Sequence, residues 1–412
     1  MTPDDLKKIY NRSDTNYYAY DQYGNNPMTP IAPVALVALK GARDLSQEVN
    51  TALVARRKDY LSGAMPEKIP AGFLRDDFHV PVNNFRFSSG EGKAVIESTI
   101  RGHDLYILCD VTNYSVTYKM RGEPNRMSPD DHYQDLKRVI LAASGKARRI
   151  NVIMPYLYEG RQHRRNARES LDCAHMLVEL DQLGVDNFIT FDAHDDRVAN
   201  ATPTSGFENV PTTYQVLETI IRAYPDIHFL HDEMMMISPD EGAIYRAMYY
   251  ASVLGIPLGT FYKRRDYTVI KNGRNPIIAH EFLGQPVDGR DVIIVDDMIS
   301  SGESMLEIAK TLKASKARKI FCVATFGLFT DGLELFDKAY EEGIVDAVFC
   351  TNLIYRSPEV LAAPWYRDVS VSRFLALIID ALNHNASLSS LLDPTTKIRT
   401  LLRAIGNDGK KD

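Results

Sequence analysis

The sequence predicts an α/β protein with two doubly wound parallel-sheet domains behind an irregular N-terminal extension. Three observations point there. Short runs of four or five residues recur that are apolar throughout rather than alternating, as expected of strands buried on both faces. Amphipathic helical stretches separate these runs. The chain has 412 residues, room for two or three domains at roughly 150 residues each.

Residues 1–33 form the expected extension. Asn11 to Pro33 is rich in Tyr, Asn, Asp and Pro and carries the turn signal Gly24-Asn25-Asn26-Pro27. Regular structure opens on the apolar run Ile31 to Leu39. Strands are expected at Leu105–Cys109, Ile150–Met154, Asn187–Phe191, Ile227–Leu230, Val292–Val295, Ile320–Ala324 and Ala347–Cys350. One helix should carry Leu171, Ala174, His175, Leu177 and Val178 and stop at Gly184. Another should carry Met305, Leu306, Ile308, Ala309 and Leu312. Met234, Met235 and Met236 read as core filler on a strand. Ala199 to Thr212, rich in small, polar and turn residues, reads as the divide. That gives an N-terminal domain over 34–200 and a C-terminal domain over 201–412, ending in a helix, a short return near Asn383 to Leu392 and a frayed tail.

Composition excludes several classes. Lys and Arg number 48 against 54 Asp and Glu, a net charge of −6, so there is no whole-chain footprint for nucleic acid. Apolar residues make up 45% and charged residues 25%, ordinary for a soluble globular chain. No apolar run approaches the ~18–20 residues of a membrane helix. The N-terminus MTPDDLKKIY is polar and acidic, unlike a signal peptide. A cytoplasmic protein with no membrane or nucleic-acid partner is expected. Cys109, Cys173, Cys322 and Cys350 are scattered without a CxxC, so buried reduced thiols are expected.

The sharpest chemical signal is Asp291-Val-Ile-Ile-Val-Asp-Asp-Met-Ile-Ser-Ser-Gly-Glu-Ser304. A buried strand ends in two acids, a Gly-containing loop follows, and a helix begins. In an open α/β sheet ligands bind at such strand ends. Asp296 and Asp297 could accept hydrogen bonds from ribose hydroxyls or hold water on Mg²⁺. Ser300, Ser301, Gly302, Glu303 and Ser304 would offer backbone N–H groups and hydroxyls to a phosphate at a helix N-terminus. An ordinary capped helix is the alternative, since Ser300-x-x-Glu303 has the form of a capping box. A capping box does not account for the two acids.

This element resembles the phosphoribosyl-pyrophosphate loop of type I phosphoribosyltransferases and of ribose-phosphate pyrophosphokinases. Further matches favour the second family. Phe85-Arg-Phe-Ser-Ser-Gly-Glu91 resembles its R-F-S-D-G-E segment. Arg101-Gly-His-Asp-Leu-Tyr-Ile-Leu is similar to its R-G-x-D strand entry, and Met154-Pro-Tyr-Leu-Tyr-Glu-Gly-Arg-Gln-His-Arg165 to its P-Y-x-x-Y-A-R-Q-D-R. Phe191-Asp-Ala-His194 resembles D-L-H-A, Ile237-Ser-Pro-Asp-Glu-Gly242 resembles S-P-D-x-G, and Lys263-Arg-Arg265 resembles the catalytic-loop K-R-R. Asn385-Ala-Ser-Leu-Ser-Ser-Leu391 resembles the C-terminal signature. The matches run in family order from Phe85 to Leu392. The extension and an insertion near Thr112 to Met127 lie outside them.

The resemblance implies a phosphoribosyltransferase-type fold and transfer of the pyrophosphoryl group of ATP to the 1-hydroxyl of ribose 5-phosphate. It implies Lys263 and Arg265 as catalytic cations on a strand leading into a flap, Asp266 to Pro276. Phe87, Ser89, Gly90, Glu91, Arg161 and Gln162 become ATP contacts, and Asp296 to Ser304 the ribose-5-phosphate site. His194 and Asp240 become ligands of Mg²⁺, with Asp192 behind them and Asp195 and Asp196 read as surface charges. A homo-oligomer built from dimers, up to a hexamer, is expected, because the Phe87 loop of the family reaches a neighbouring subunit. Ser89, His163 and Ser300 stand where the family carries Asp. A catalytically weak regulatory paralogue and a phosphoribosyltransferase are the alternatives.

Overall fold

The computed structural model describes residues 29–63, 69–165, 167–265 and 277–406. Most of the N-terminal extension, the flap Asp266 to Pro276 and the tail beyond Gly406 lie outside the described residues, as do the side chains of Lys263 and Arg265.

The first sheet has five parallel strands in the order β1, β4, β7, β8, β9. They are β1 (Val34–Ala38), β4 (Asp104–Leu108), β7 (Arg149–Ile153), β8 (Asn187–Phe191) and β9 (Gly206–Val210). Two antiparallel hairpins stand beside it, β2 (Val82–Arg86) with β3 (Gly92–Ile96), and β5 (Thr117–Met120) with β6 (Glu123–Arg126). Both faces of the sheet are covered. Val34 and Leu36 face helix α1 (Arg43–Gly63), while Ala35 and Val37 face α2 (Pro129–Ala143) and α3 (Asp172–Gln182). Two buried faces leave no polar side for the strands, which is why their sequences are continuously apolar.

Two sequence expectations change in this half. The buried stripe of α3 is Cys173, Met176, Leu177 and Leu180, with His175 and Val178 exposed, so the apolar face is turned from the one expected. The segment Ala199 to Thr212 contains strand β9, and the first sheet runs past residue 200 to Val210. An edge strand is covered on fewer sides. Gly206 to Asn209 are accordingly only half-buried and lack the apolar run that marks the other strands.

The second sheet has seven strands in the order β12, β11, β10, β13, β14, β15, β16. They are β10 (Met234–Ser238), β11 (Leu258–Arg265), β12 (Ile277–Leu283), β13 (Asp291–Ile299), β14 (Ile320–Gly327), β15 (Ala347–Thr351) and β16 (Tyr366–Val369). Only β12 is antiparallel to its neighbour. Helices α4 (Thr213–Ala223), α5 (Ile244–Leu254), α6 (Glu303–Ala314), α7 (Glu334–Glu341), α8 (Pro358–Ala362) and α9 (Ser372–Asn383) alternate with the strands, and α10 (Ser389–Leu392) and α11 (Thr395–Ala404) close the described chain. Met234, Met235 and Met236 are fully buried on β10, the first and third in one core and the second in another. Ile227 to Leu230 is not a strand; Ile227 and Phe229 are buried from an irregular segment that leads into β10.

The two halves interlock. Helix α9 from the C-terminal half packs on α1, and its fully buried Asp380 takes Arg56 Nε at 2.8 Å and Arg57 Nε at 3.2 Å. Asn383 Nδ2 donates to Asp104 Oδ2 at 2.9 Å, beside the Arg149–Asp104 pair. All four cysteines are free and buried. No helix among the described residues is long and apolar enough to cross a membrane.

Candidate functional site

The chain steps from β10 outward to β11 and β12, then returns to place β13 on the other side of β10. The strand order therefore reverses between β10 and β13. A crevice opens at the C-terminal end of such a pair and is where ligands bind in open α/β sheets. Asp240 follows β10, and Asp296 and Asp297 lie near the end of β13.

Asp297 is 5% exposed, and its Oδ2 lies 2.7 Å from His194 Nδ1. Its own N–H donates to Asp296 Oδ1 at 2.8 Å. Burial first, and the Asp297 charge second, push Asp296 well above the usual carboxylate range. Burial would raise Asp297 too, but the His194 hydrogen bond and the Arg246 charge outweigh it and hold it down. The same hydrogen bond raises His194 against the effect of burial. Two carboxylates side by side in a buried crevice leave a local demand for hydroxyl donors or a cation.

Past β13 the loop is tight. Gly302 is the left-handed residue before α6, with φ 87°, and a Cβ there would collide with the Phe336 ring. Only glycine meets both demands. The expected capping box is absent: α6 begins at Glu303, and the Gly302 position before it makes no side-chain cap. Ser300 instead sits in the loop, its carbonyl accepting from Thr330 N–H at 3.0 Å and its hydroxyl 3.5 Å from Thr330 Oγ1. Ser301 Oγ accepts from Glu303 N–H at 3.4 Å, and Glu303 and Ser304 are exposed. The first N–H groups of this 12-residue helix follow the two acids after a short loop.

Other expected residues are distributed around this crevice. Arg161 stands at the Tyr156 hydroxyl, which also feels Asp297. Gln162 spends its amide on its own loop, donating to Ser170 O at 2.8 Å. Asp240 Oδ1 accepts from Gly242 and Ala243 N–H at 2.9 and 3.2 Å, ahead of α5. Among the described residues no three His, Cys, Asp or Glu side chains form a preformed metal cluster.

The Phe87–Glu91 loop is the tip of the β2–β3 hairpin. Phe87 N–H donates to Glu91 O at 2.8 Å and Ser89 Oγ to Glu91 Oε2 at 2.9 Å, while the Phe87 ring is 55% exposed. Among the described residues no hydrogen bond or ion pair joins this loop to Arg161, His194 or Asp297.

Asp195 is not the surface charge expected. It is 13% exposed and is held by Arg197 and by His163 Nε2 at 3.3 Å. His163 thus reaches Asp195 from a separate loop. Asp196 is exposed, as expected.

Sequence reasoning missed Arg246. Its guanidinium donates to Asp192 O at 3.3 Å. Burial would lower it, but the charges of Asp192, Asp297 and Asp296 outweigh that and raise it. A signal existed: Arg246 lies in the first turn of α5, where a cation opposes the helix dipole and needs another reason to be there.

Residues 34–184 match the model of the N-terminal domain of ribose phosphate pyrophosphokinase, and residues 271–393 that of the phosphoribosyl synthetase-associated domain. The ribose-phosphate pyrophosphokinase of Vibrio parahaemolyticus is 29% identical over 315 residues, covering 75% of this chain and 90% of that one. That of Mycoplasma pneumoniae is 28% identical over 334 residues, covering 79% and 89%. The fold matches the crystal structure of phosphoribosylpyrophosphate synthetase from Mycobacterium smegmatis with a TM-score of 0.67 at 20% identity, over 86% of this chain and all of that one. Two domain models and relatives that align over nine-tenths of their own length make this chain a member of the ribose-phosphate pyrophosphokinase family.

Proposed function

We propose that the chain transfers the β,γ-pyrophosphoryl group of ATP to the 1-hydroxyl of ribose 5-phosphate. The hydroxyl oxygen bonds to the β-phosphorus, the bond from that phosphorus to the α-bridging oxygen breaks, and AMP leaves. The hydroxyl proton passes to solvent. The observation that carries this reading is the pair of half-buried Asp296 and buried Asp297 at the strand-order reversal, ahead in sequence of a helix N-terminus entered through Gly302. That pairing suits a sugar phosphate. The carboxylates accept from ribose hydroxyls, and the N–H groups of Ser301 to Ser304 receive the 5-phosphate.

Phosphoryl chemistry is mostly positioning and neutralisation of oxygen charge. Lys263 and Arg265, whose side chains lie outside the described residues, supply that neutralisation. Arg161 grips or stacks on the nucleotide, with Gln162 shaping its loop. Phe87, Ser89, Gly90 and Glu91 receive the adenine end in a second subunit, which makes a homo-oligomer built from dimers part of the proposal. Mg²⁺ fits the donor set, since oxygen-rich groups with His194 and Asp240 leave room for waters and nucleotide oxygens. When bound it would offset charge on the transferred group.

The test is joint release of AMP and 5-phosphoribosyl 1-pyrophosphate from ATP and ribose 5-phosphate with Mg²⁺, abolished by EDTA. Silence from a folded sample that still binds ATP would favour a regulatory paralogue.

A further inference from the structure

The inserted segment near Thr112 to Met127 has no counterpart in the family resemblance, yet the chain builds it into a well-formed hairpin, β5–β6. Its turn is Arg121-Gly122, both left-handed with φ 52° and 89°, as a two-residue type I′ turn requires. Met127 N–H donates to Val116 O at 2.9 Å and closes its base.

The tip of this hairpin lies against the Phe87–Glu91 loop. Arg121 N–H donates to Ser88 O at 2.8 Å. Gly90 sits on Met120 so closely that a Cβ there would meet Sδ at 2.8 Å. The Tyr118 ring lies under the Arg86 guanidinium at 5.1 Å. The base of the hairpin is tied to the other half of the molecule, with Arg126 over Tyr114 at 5.7 Å and Tyr114 edge-on to Tyr355 at 5.5 Å.

The strands of the β2–β3 hairpin are anchored on α2, where Arg86 meets Asp135, but among the described residues the tip beyond Arg86 has only its own turn bonds and the β5–β6 contacts to hold it. Here the tip is pinned from outside while its aromatic ring stays uncovered. We propose that the β5–β6 hairpin is a brace that fixes the Phe87–Glu91 loop in the conformation that receives ATP, with Tyr118 and Met120 as positioning residues. The proposal rests on the nucleotide role given to that loop above. Its energetic sense is preorganisation: a loop ordered before binding loses less entropy when the nucleotide arrives.

Two variants of the full chain test it. One replaces Thr117–Arg126 by two glycines, since Val116 and Met127 already meet. The other, Tyr118→Ala with Met120→Ala, keeps the hairpin and removes its side-chain grip. Amide hydrogen exchange is read without nucleotide, and ATP binding is measured without turnover. Exchange at Ser88 to Glu91 should rise at least tenfold in the excised protein, and ATP affinity should fall about tenfold. KM for ATP should rise in parallel while kcat and KM for ribose 5-phosphate stay within twofold. Unchanged exchange in both variants overturns the brace. Faster exchange with unchanged ATP affinity overturns its link to nucleotide. Absence of turnover in the unaltered protein would count against the proposed reaction and leave the exchange result standing, so the two failures are distinguishable.

Discussion

His194 Nδ1 and Asp297 Oδ2 lie 2.7 Å apart although His194 follows β8 of the first sheet, Asp297 lies on β13 of the second, and the two are 103 residues apart in the chain. The bond places the site in the seam between the halves rather than inside either one. Asp192, two residues before His194, ties the same seam, its Oδ2 accepting from Thr212 Oγ1 and from Thr325 Oγ1 at 2.6 Å each. Asp192 holds φ at 38°, an uncommon backbone position for a residue other than glycine, and these bonds hold it there.

Thr325→Val keeps the shape and removes one hydroxyl from that tie. A hydrogen bond to a charged group contributes about 1.5–3 kcal/mol, so urea unfolding should show a loss of that order. Turnover should fall as well, because His194 is carried by the same turn. A loss below about 0.5 kcal/mol would show that the seam does not depend on Asp192.

Gly302→Ala meets two penalties at once. A left-handed conformation costs a residue with a Cβ about 1–2 kcal/mol, and overpacking against Phe336 adds about 1–3. The variant should lose about 2–5 kcal/mol of stability and weaken ribose 5-phosphate binding more than ATP binding. Equal losses for the two substrates would argue against a phosphate cradle in this loop.

Much of this was legible in the sequence. The Asp296-Asp297 pair and the glycine loop announce themselves because a buried strand seldom ends in two acids. What sequence hides is pairing between distant segments. Asp195 looked like a surface charge because nothing local shows that His163 would reach it from another loop. Strand β9 was hidden because an edge strand needs no continuous apolar run. Ser300-x-x-Glu303 has the form of a capping box, but Gly302 takes the turn and starts the helix two residues later.

The α9–α1 contact gives a pH signature away from the site. Burial lowers the pKa of His384 more than the nearby Asp380 raises it. The folded chain thus holds this histidine neutral, whereas the unfolded chain binds a proton near pH 6.5. Stability from this group is present above about pH 6.5 and is lost as pH falls toward the lowered folded value, by at most about 1.4 kcal/mol per unit of pH. His384→Asn should flatten the fall in melting temperature between pH 7 and pH 5. An unchanged slope would assign the fall to other groups.

Lys263→Ala should lower kcat by about a hundredfold or more, as expected for removal of a group that acts on transition-state charge. ATP affinity measured without turnover should change little. A parallel loss of binding and turnover would make Lys263 a ground-state contact.

ATP labelled in the γ-phosphate distinguishes pyrophosphoryl transfer from simple phosphoryl transfer. With ribose 5-phosphate and Mg²⁺, the label should appear in the sugar product together with one AMP for each labelled sugar. Release of ADP with the label on a singly phosphorylated hydroxyl, or as free phosphate, would contradict pyrophosphoryl transfer.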